Sequence, residues 1–130
     1  MSSGYSGTPL GQKLGINSDT HLLLLHGPEL PELAVATAHR RLGAGPYDVA
    51  LVFCADRAAL EKDFARVAGR LSTAGALWVC WPKKASGIKT DLTDSQVREY
   101  GLAGGLVDVK VAAIDATWSG LKFVRRLADR

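Results

Sequence analysis

The chain has 130 residues, 47% hydrophobic and 22% charged, and carries a formal net charge of +3 from 16 basic and 13 acidic residues. This length and composition predict one domain over residues 1–130 with a core of its own. The mild charge falls well short of the basic stripe of a nucleic-acid module, so nucleic acid is unsupported as a partner. The longest aliphatic run, Leu22 to Leu25, is far below membrane-spanning length and no charged-then-apolar leader opens the sequence, which predicts a cytoplasmic protein without membrane contact.

Residues 1–7, MSSGYSG, offer too little apolar surface to offset the entropy of ordering them, and are expected to be disordered. Thr8 is placed to cap a short helix with Pro9 at its first position. Leu10, Leu14 and Ile16 give that helix an apolar side before Gly15 and Asn17 stop it. His21 to Leu25 is apolar on both strand faces and predicts a buried central strand. Glu29 to Leu42 admits two readings, a short helix through Leu30, Leu33 and Ala34 or a brief edge strand over Val35 to His39. Gly43-Ala44-Gly45-Pro46 breaks the pattern, and Tyr47 to Cys54 is the second buried strand. Asp56 then caps a helix running to about Ser72. Leu60, Phe64, Val67, Ala68 and Leu71 form its buried stripe, and Arg57, Glu61, Lys62, Arg66 and Arg70 its wet face.

Ala76 to Trp81 predicts the strand on which the chemistry of the chain is hung. Pro82 ends its ladder for want of an N–H, and Lys83-Lys84-Ala85-Ser86-Gly87 and Lys89-Thr90-Asp91 follow. Thr93 with Gln96 three residues later is a capping-box pattern, opening a helix that ends near Gly101 with Val97 and Tyr100 inward. Leu106 to Ile114 and Gly120 to Leu127 read as an antiparallel hairpin at the sheet edge, joined by Asp115 to Ser119, with Val107, Val109 and Val111 on a half-covered face. The fold expected is a three-layer α/β domain with a mostly parallel, Rossmann-like sheet and an antiparallel C-terminal hairpin. Cys54 and Cys80 lie inside apolar strands without metal-ligand spacing, which predicts buried thiols and no metal site.

Two resemblances follow from these stretches. Tyr47-Asp48-Val49-Ala50-Leu51-Val52 through Leu71-Ser72-Thr73-Ala74-Gly75-Ala76-Leu77-Trp78-Val79 to the closing hairpin resembles the back half of a class I methyltransferase domain. Gly4-Tyr5-Ser6-Gly7-Thr8-Pro9-Leu10, Trp81-Pro82-Lys83-Lys84-Ala85-Ser86-Gly87, Thr90-Asp91-Leu92-Thr93 and Trp118-Ser119-Gly120-Leu121-Lys122 are similar to the signatures of a small, mainly actinobacterial family of domains of unknown function. The second resemblance implies a family and no activity. The first implies S-adenosylmethionine held at a glycine-rich turn after the first strand, with an acidic residue ending the second strand on the ribose. Here the first strand runs into His26-Gly27-Pro28-Glu29, with one glycine beside a proline. The expectation is therefore a shrunken scaffold that has lost the cofactor.

Ligands in parallel sheets sit outside the carboxyl ends of the strands. Those ends carry His26 with Glu29, then Asp56, then Lys83, Lys84 and Ser86, and the expected ligand-binding residues are His26, Asp56, Lys83, Lys84, Ser86 and Gly87. Lysines beside Ser86-Gly87 suit a small anionic ligand, through point charges and backbone donors; the competing reading is a solvated basic loop. No serine or cysteine is placed to partner His26 as a nucleophile, so no catalytic residue is assigned. Asp56 reads most simply as a helix cap, Trp81 and Trp118 as core rather than a stacking platform, and Arg125, Arg126 and Arg130 as a solvated basic end. The function expected is a non-catalytic binding or regulatory module for a small anion, with no cofactor. The alternatives are a minimal S-adenosylmethionine-dependent methyltransferase and a protein-interaction domain that meets its partner at the hairpin.

Overall fold

A computed structural model describes residues 8–33 and 36–130. The disorder expected of residues 1–7, and the parts of the two readings of 29–42 that rest on Ala34 and Val35, lie outside the described residues. A six-stranded sheet runs through the molecule. In chain order the elements are helix α1 (Leu10–Leu14), strands β1 (Leu22–Leu25), β2 (Ala38–His39) and β3 (Tyr47–Phe53), helix α2 (Arg57–Ala68), strand β4 (Leu71–Pro82), helix α3 (Asp94–Ala103), and strands β5 (Leu106–Ala113) and β6 (Trp118–Arg125). The sheet order is β2-β1-β3-β4-β6-β5. The β1–β2, β1–β3 and β3–β4 pairs are parallel, while β4–β6 and β5–β6 are antiparallel.

Strand alternation divides the core in two. Leu23, Leu25, Ala50, Val52, Leu77 and Val79 face α2 and α3, whose Leu60, Phe64, Val67 and Val97 complete one cluster. Leu22, Leu24, Val49, Leu51, Trp78 and Cys80 face the opposite way, onto Leu10, Leu14 and Ile16 of the α1 segment, Leu33 of a one-turn 3-10 helix at Pro31–Leu33, and Ile114. The three-layer α/β expectation holds, with one outer layer of two full helices and the other of one five-residue helix and a turn. Each layer is a direct product of the period-two pattern in strands that are apolar on both faces.

Several boundaries differ from expectation for physical reasons. Helix α1 begins at Leu10 with Pro9 at its cap position, where Pro9 was expected as the first helical residue. Helix α2 stops at Ala68, not Ser72: Gly69 breaks it, Arg70 O accepts the Tyr47 N–H at 2.7 Å, and Leu71 is already paired with Tyr47 in the sheet. The ladder passes Pro82 by one residue, since Lys83 N–H donates to Thr117 O at 2.9 Å. In the C-terminal hairpin only β5 is an edge. β6 lies inside the sheet between β4 and β5 and starts at Trp118, two residues before the expected Gly120. The half-covered valine face is interrupted by a register shift between Asp108 and Lys110, leaving Val109 and Val111 51% and 47% exposed. Of the arginine end, Arg126 and Arg130 are exposed as expected, while Arg125 is half-buried. Arg125 donates to the carbonyl of Ala68 at the end of α2 and to that of Leu71 in β4, and Arg126 donates to that of Leu102 in the last turn of α3.

Candidate functional site at the carboxyl ends of the parallel strands

The chain leaves β1 for β2 on one side and returns past β1 to form β3 on the other. Strand order therefore reverses at β1, and open α/β sheets hold their ligands in the crevice outside the carboxyl ends at such a point. His26, the residue after β1, has φ 65, a left-handed conformation that non-glycine residues seldom adopt. Gly27 follows because nothing larger fits: a Cβ there would fall inside the Phe53 ring at the end of β3. Phe53 is itself fixed edge-on to Trp118, with ring centroids 5.1 Å apart. The turn thus lies tight on β3, and a shallow depression of about 310 Å³ opens on the β2 side, lined by Leu24, His26, Gly27, Glu29 and Arg40. Arg40, the residue after β2, meets Glu29 at 3.2 Å.

Beneath His26 lies a group that the expected site residues did not include. Asp63 of α2 is 1% exposed and is the one charged residue with a buried side chain among the described residues. Its Oδ2 is 3.2 Å from His26 Nε2, and its Oδ1 has Arg66 at 3.4 Å but no hydrogen bond. A signal for it was present in the sequence, because position 63 falls on the same helical stripe as Leu60, Phe64 and Val67. A carboxylate kept on a buried face requires a partner. Cys54, at the end of β3, is closed to chemistry: burial first, then the Asp63 and Asp56 carboxylates, push its thiol up to about 12. Burial raises the Cys80 thiol as well.

The other expected residues sit on the same rim, each with local duties. Asp56 Oδ1 accepts the Ala59 N–H at 2.9 Å and caps α2, and Asp91 Oδ1 accepts the Arg57 N–H at 2.7 Å, so two carboxylates already face the positive end of that helix. Lys83 leads into a one-turn 3-10 helix at Lys84–Ser86, closed by Gly87 at φ 78. The Ser86 hydroxyl donates to Lys83 O at 2.7 Å and accepts the Ile88 N–H at 3.2 Å, which commits it to the loop itself. No hydrogen bond or ion pair joins Lys83, Lys84 or Ser86 to His26 or Asp56 among the described residues. Trp81 is buried in the core. No group of three or more metal-ligating side chains occurs among the described residues, and no described helix is long and apolar enough to cross a membrane.

These features define the class: an α/β domain with a methyltransferase-like Rossmann scaffold. The solved structures that it is similar to include an O-methyltransferase family protein from Burkholderia thailandensis, at 12% identity and TM-score 0.57, covering 89% of this chain and 56% of that one. They also include the precorrin-6y C5,15-methyltransferase of Geobacter metallireducens GS-15, at 10% identity and TM-score 0.56 over 90% of this chain and 86% of that one. A complex of DhpI with SAH matches at 8% identity and TM-score 0.60, over 92% and 83%. The chain thus spans little more than half the length of the first of these proteins. No family model matches the chain, and no curated protein does.

Proposed function

We propose that this domain is a minimal methyltransferase-type domain that takes an S-adenosyl ligand in the depression at the carboxyl ends of β1 and β2. The observation that carries the reading is the Glu29–Arg40 pair at that rim. The resemblance to methyltransferases calls for an acidic residue at the end of the second strand, and the chain has Arg40 there, yet Arg40 draws the Glu29 carboxylate to the same place. The ligand's polar groups find complements in the lining: Glu29 accepts from ribose hydroxyls, and Arg40 and His26 face a carboxylate. Gly27 is the point of close backbone approach, while Phe53 fills the space under the turn and confines the ligand to the outer, β2 side. Bound there, S-adenosylmethionine would supply an electrophilic methyl group; the chain's own residues bind and orient it.

Fold neighbours named as methyltransferases, and others described as complexes with SAM or SAH, favour this reading over the anion-binding module. That module keeps one supporting observation: neither Lys83 nor Lys84 has an ion pair among the described residues. The likeness to domains of unknown function around Trp81–Gly87 adds no activity to either reading.

Calorimetric titration with S-adenosylhomocysteine tests the proposal. Micromolar affinity is expected, falling about tenfold in Glu29→Gln, the loss of roughly one charge-assisted hydrogen bond. Absence of binding by the wild type, together with a melting temperature raised by sulfate and no longer raised in Lys83→Ala/Lys84→Ala, would hand the function to the lysine loop.

A further inference from the structure

The His26–Asp63 contact has a chemistry of its own, and it extends the adenosyl reading to a specific part of the ligand. Asp63 is held on the buried face of α2 with His26 Nε2 3.2 Å from its Oδ2 and no hydrogen bond at its Oδ1. The His26 side chain is 53% exposed, and its Nδ1 has no hydrogen bond among the described residues. The imidazole thus stands between a desolvated carboxylate and an open depression, held there by an unusual left-handed backbone. Strain of this kind persists where the surroundings over-determine it, and it clusters at functional sites.

The charges around the ring set what it can accept. Asp63 and Arg66 face it from α2, Glu29 and Arg40 line the depression with it, and Asp56 and the protonated Cys54 thiol lie at the end of β3. Arg66 and Arg40 are each met by a carboxylate, Asp63 and Glu29 respectively. A neutral imidazole with its Nε2–H beside Asp63 leaves Nδ1 as a lone pair, which repels an anion. A protonated imidazole keeps the Asp63 bond and presents Nδ1–H as a second donor.

We propose that His26 and Asp63 form a proton-linked carboxylate subsite, in which the carboxylate of the ligand binds Nδ1–H of an imidazolium completed by one proton taken from solvent. The balance is simple. One proton is bound, no covalent bond changes, and the pair of carboxylates, one from Asp63 and one from the ligand, brackets one cation. Affinity then falls as pH rises and the free protein gives up the proton that the bound state keeps, approaching tenfold per unit where one full proton is taken up.

The test is calorimetric titration of S-adenosylhomocysteine at pH 7.5 in phosphate, HEPES and Tris, whose ionisation enthalpies differ, so that the dependence of heat on buffer counts protons. Uptake approaching one proton is expected for the wild type and none for His26→Asn, a residue that tolerates the left-handed backbone. Asp63→Asn should reduce the uptake while leaving the circular dichroism unchanged. A second arm titrates acetate against protein labelled with 15N-histidine at pH 7.5; His26 Nδ1 is expected to move into the protonated range, and to stay put in Asp63→Asn. Acetate protonating His26 while S-adenosylhomocysteine fails to bind would sink the adenosyl reading and keep the subsite. Binding of S-adenosylhomocysteine without proton uptake, or a His26 that acetate leaves neutral, overturns the subsite.

Discussion

Glycine in the middle of a helix is ordinarily a weakness, and replacing it with alanine gains about 1 kcal/mol from propensity. Gly101 in α3 should behave in the opposite way. A Cβ built at this position overlaps three atoms of the Phe123 ring, which is fully buried and meets the buried Phe64 ring edge-on at 5.8 Å between centroids. Neither ring has space to retreat. Overpacking in such a site costs about 1–3 kcal/mol, and with both rings confined the upper end applies, so Gly101→Ala should destabilise by about 2 kcal/mol after the propensity gain. For a domain of this size that is a fall of roughly 6–12 °C in Tm. Gly11→Ala in α1 is the control, because its nearest neighbour would be Ile16 O at an ordinary 3.5 Å. It should be neutral or stabilising by up to about 1 kcal/mol. Urea unfolding followed by tryptophan fluorescence and by circular dichroism, with m-values compared to confirm a shared two-state transition, reads both. A Gly101→Ala midpoint at or above that of the wild type would refute the packing of α3 on β6.

Phe64→Ala removes a buried ring that also meets Tyr100 edge-on at 5.4 Å; a loss of about 3–5 kcal/mol is expected in the same unfolding assay, and less than about 1 kcal/mol would contradict its burial. The two thiols give stability a pH dependence of known sign. Both are held protonated in the folded protein, Cys54 with its pKa up at about 12, whereas in the unfolded chain they ionise near pH 8.5. The unfolded state therefore binds fewer protons above pH 8.5, and stability that is intact below that pH declines as pH rises toward 12, by about 1.4 kcal/mol per unit and per thiol. Denaturation at pH 8 and pH 10 should show this fall, and the Cys54→Ala/Cys80→Ala variant a flatter profile; equal slopes in the two proteins would remove the thiols as its cause.

The parts of the fold that the sequence made legible are those in which one residue pattern has one physical solution. Leu22–Leu25, Tyr47–Phe53 and the run through Trp81 are apolar on both faces and had to be central. Asp56 and Thr93 had to cap, and each does, accepting the N–H of Ala59 and Gln96. What remained hidden depends on pairing across distance. Nothing local to Trp118–Arg125 says that it enters the sheet beside β4 rather than extending the edge. Nothing near Arg125 announces that its guanidinium will meet carbonyls more than fifty residues earlier. At the candidate site, His26 was visible because strand ends are predictable. Its neighbour Asp63 was legible only from its place on the stripe of Leu60, Phe64 and Val67, and Arg40 was hidden by a strand only two residues long.

The position of β6 also bears on how the molecule is made. The side of β4 that will carry β6 is an apolar strand edge with unpaired amides, and the residues that cover it are the last strand of the sheet to leave the ribosome. At about 5–20 residues per second, the stretch from Pro82 to Arg125 takes several seconds to emerge. Through that interval β1, β3 and β4 can associate while β4 remains an open template for any extended segment nearby. Nascent chains stalled before Trp118 should thus be the aggregation-prone species of this protein, and chaperone capture should peak there and fall once β6 has closed the gap.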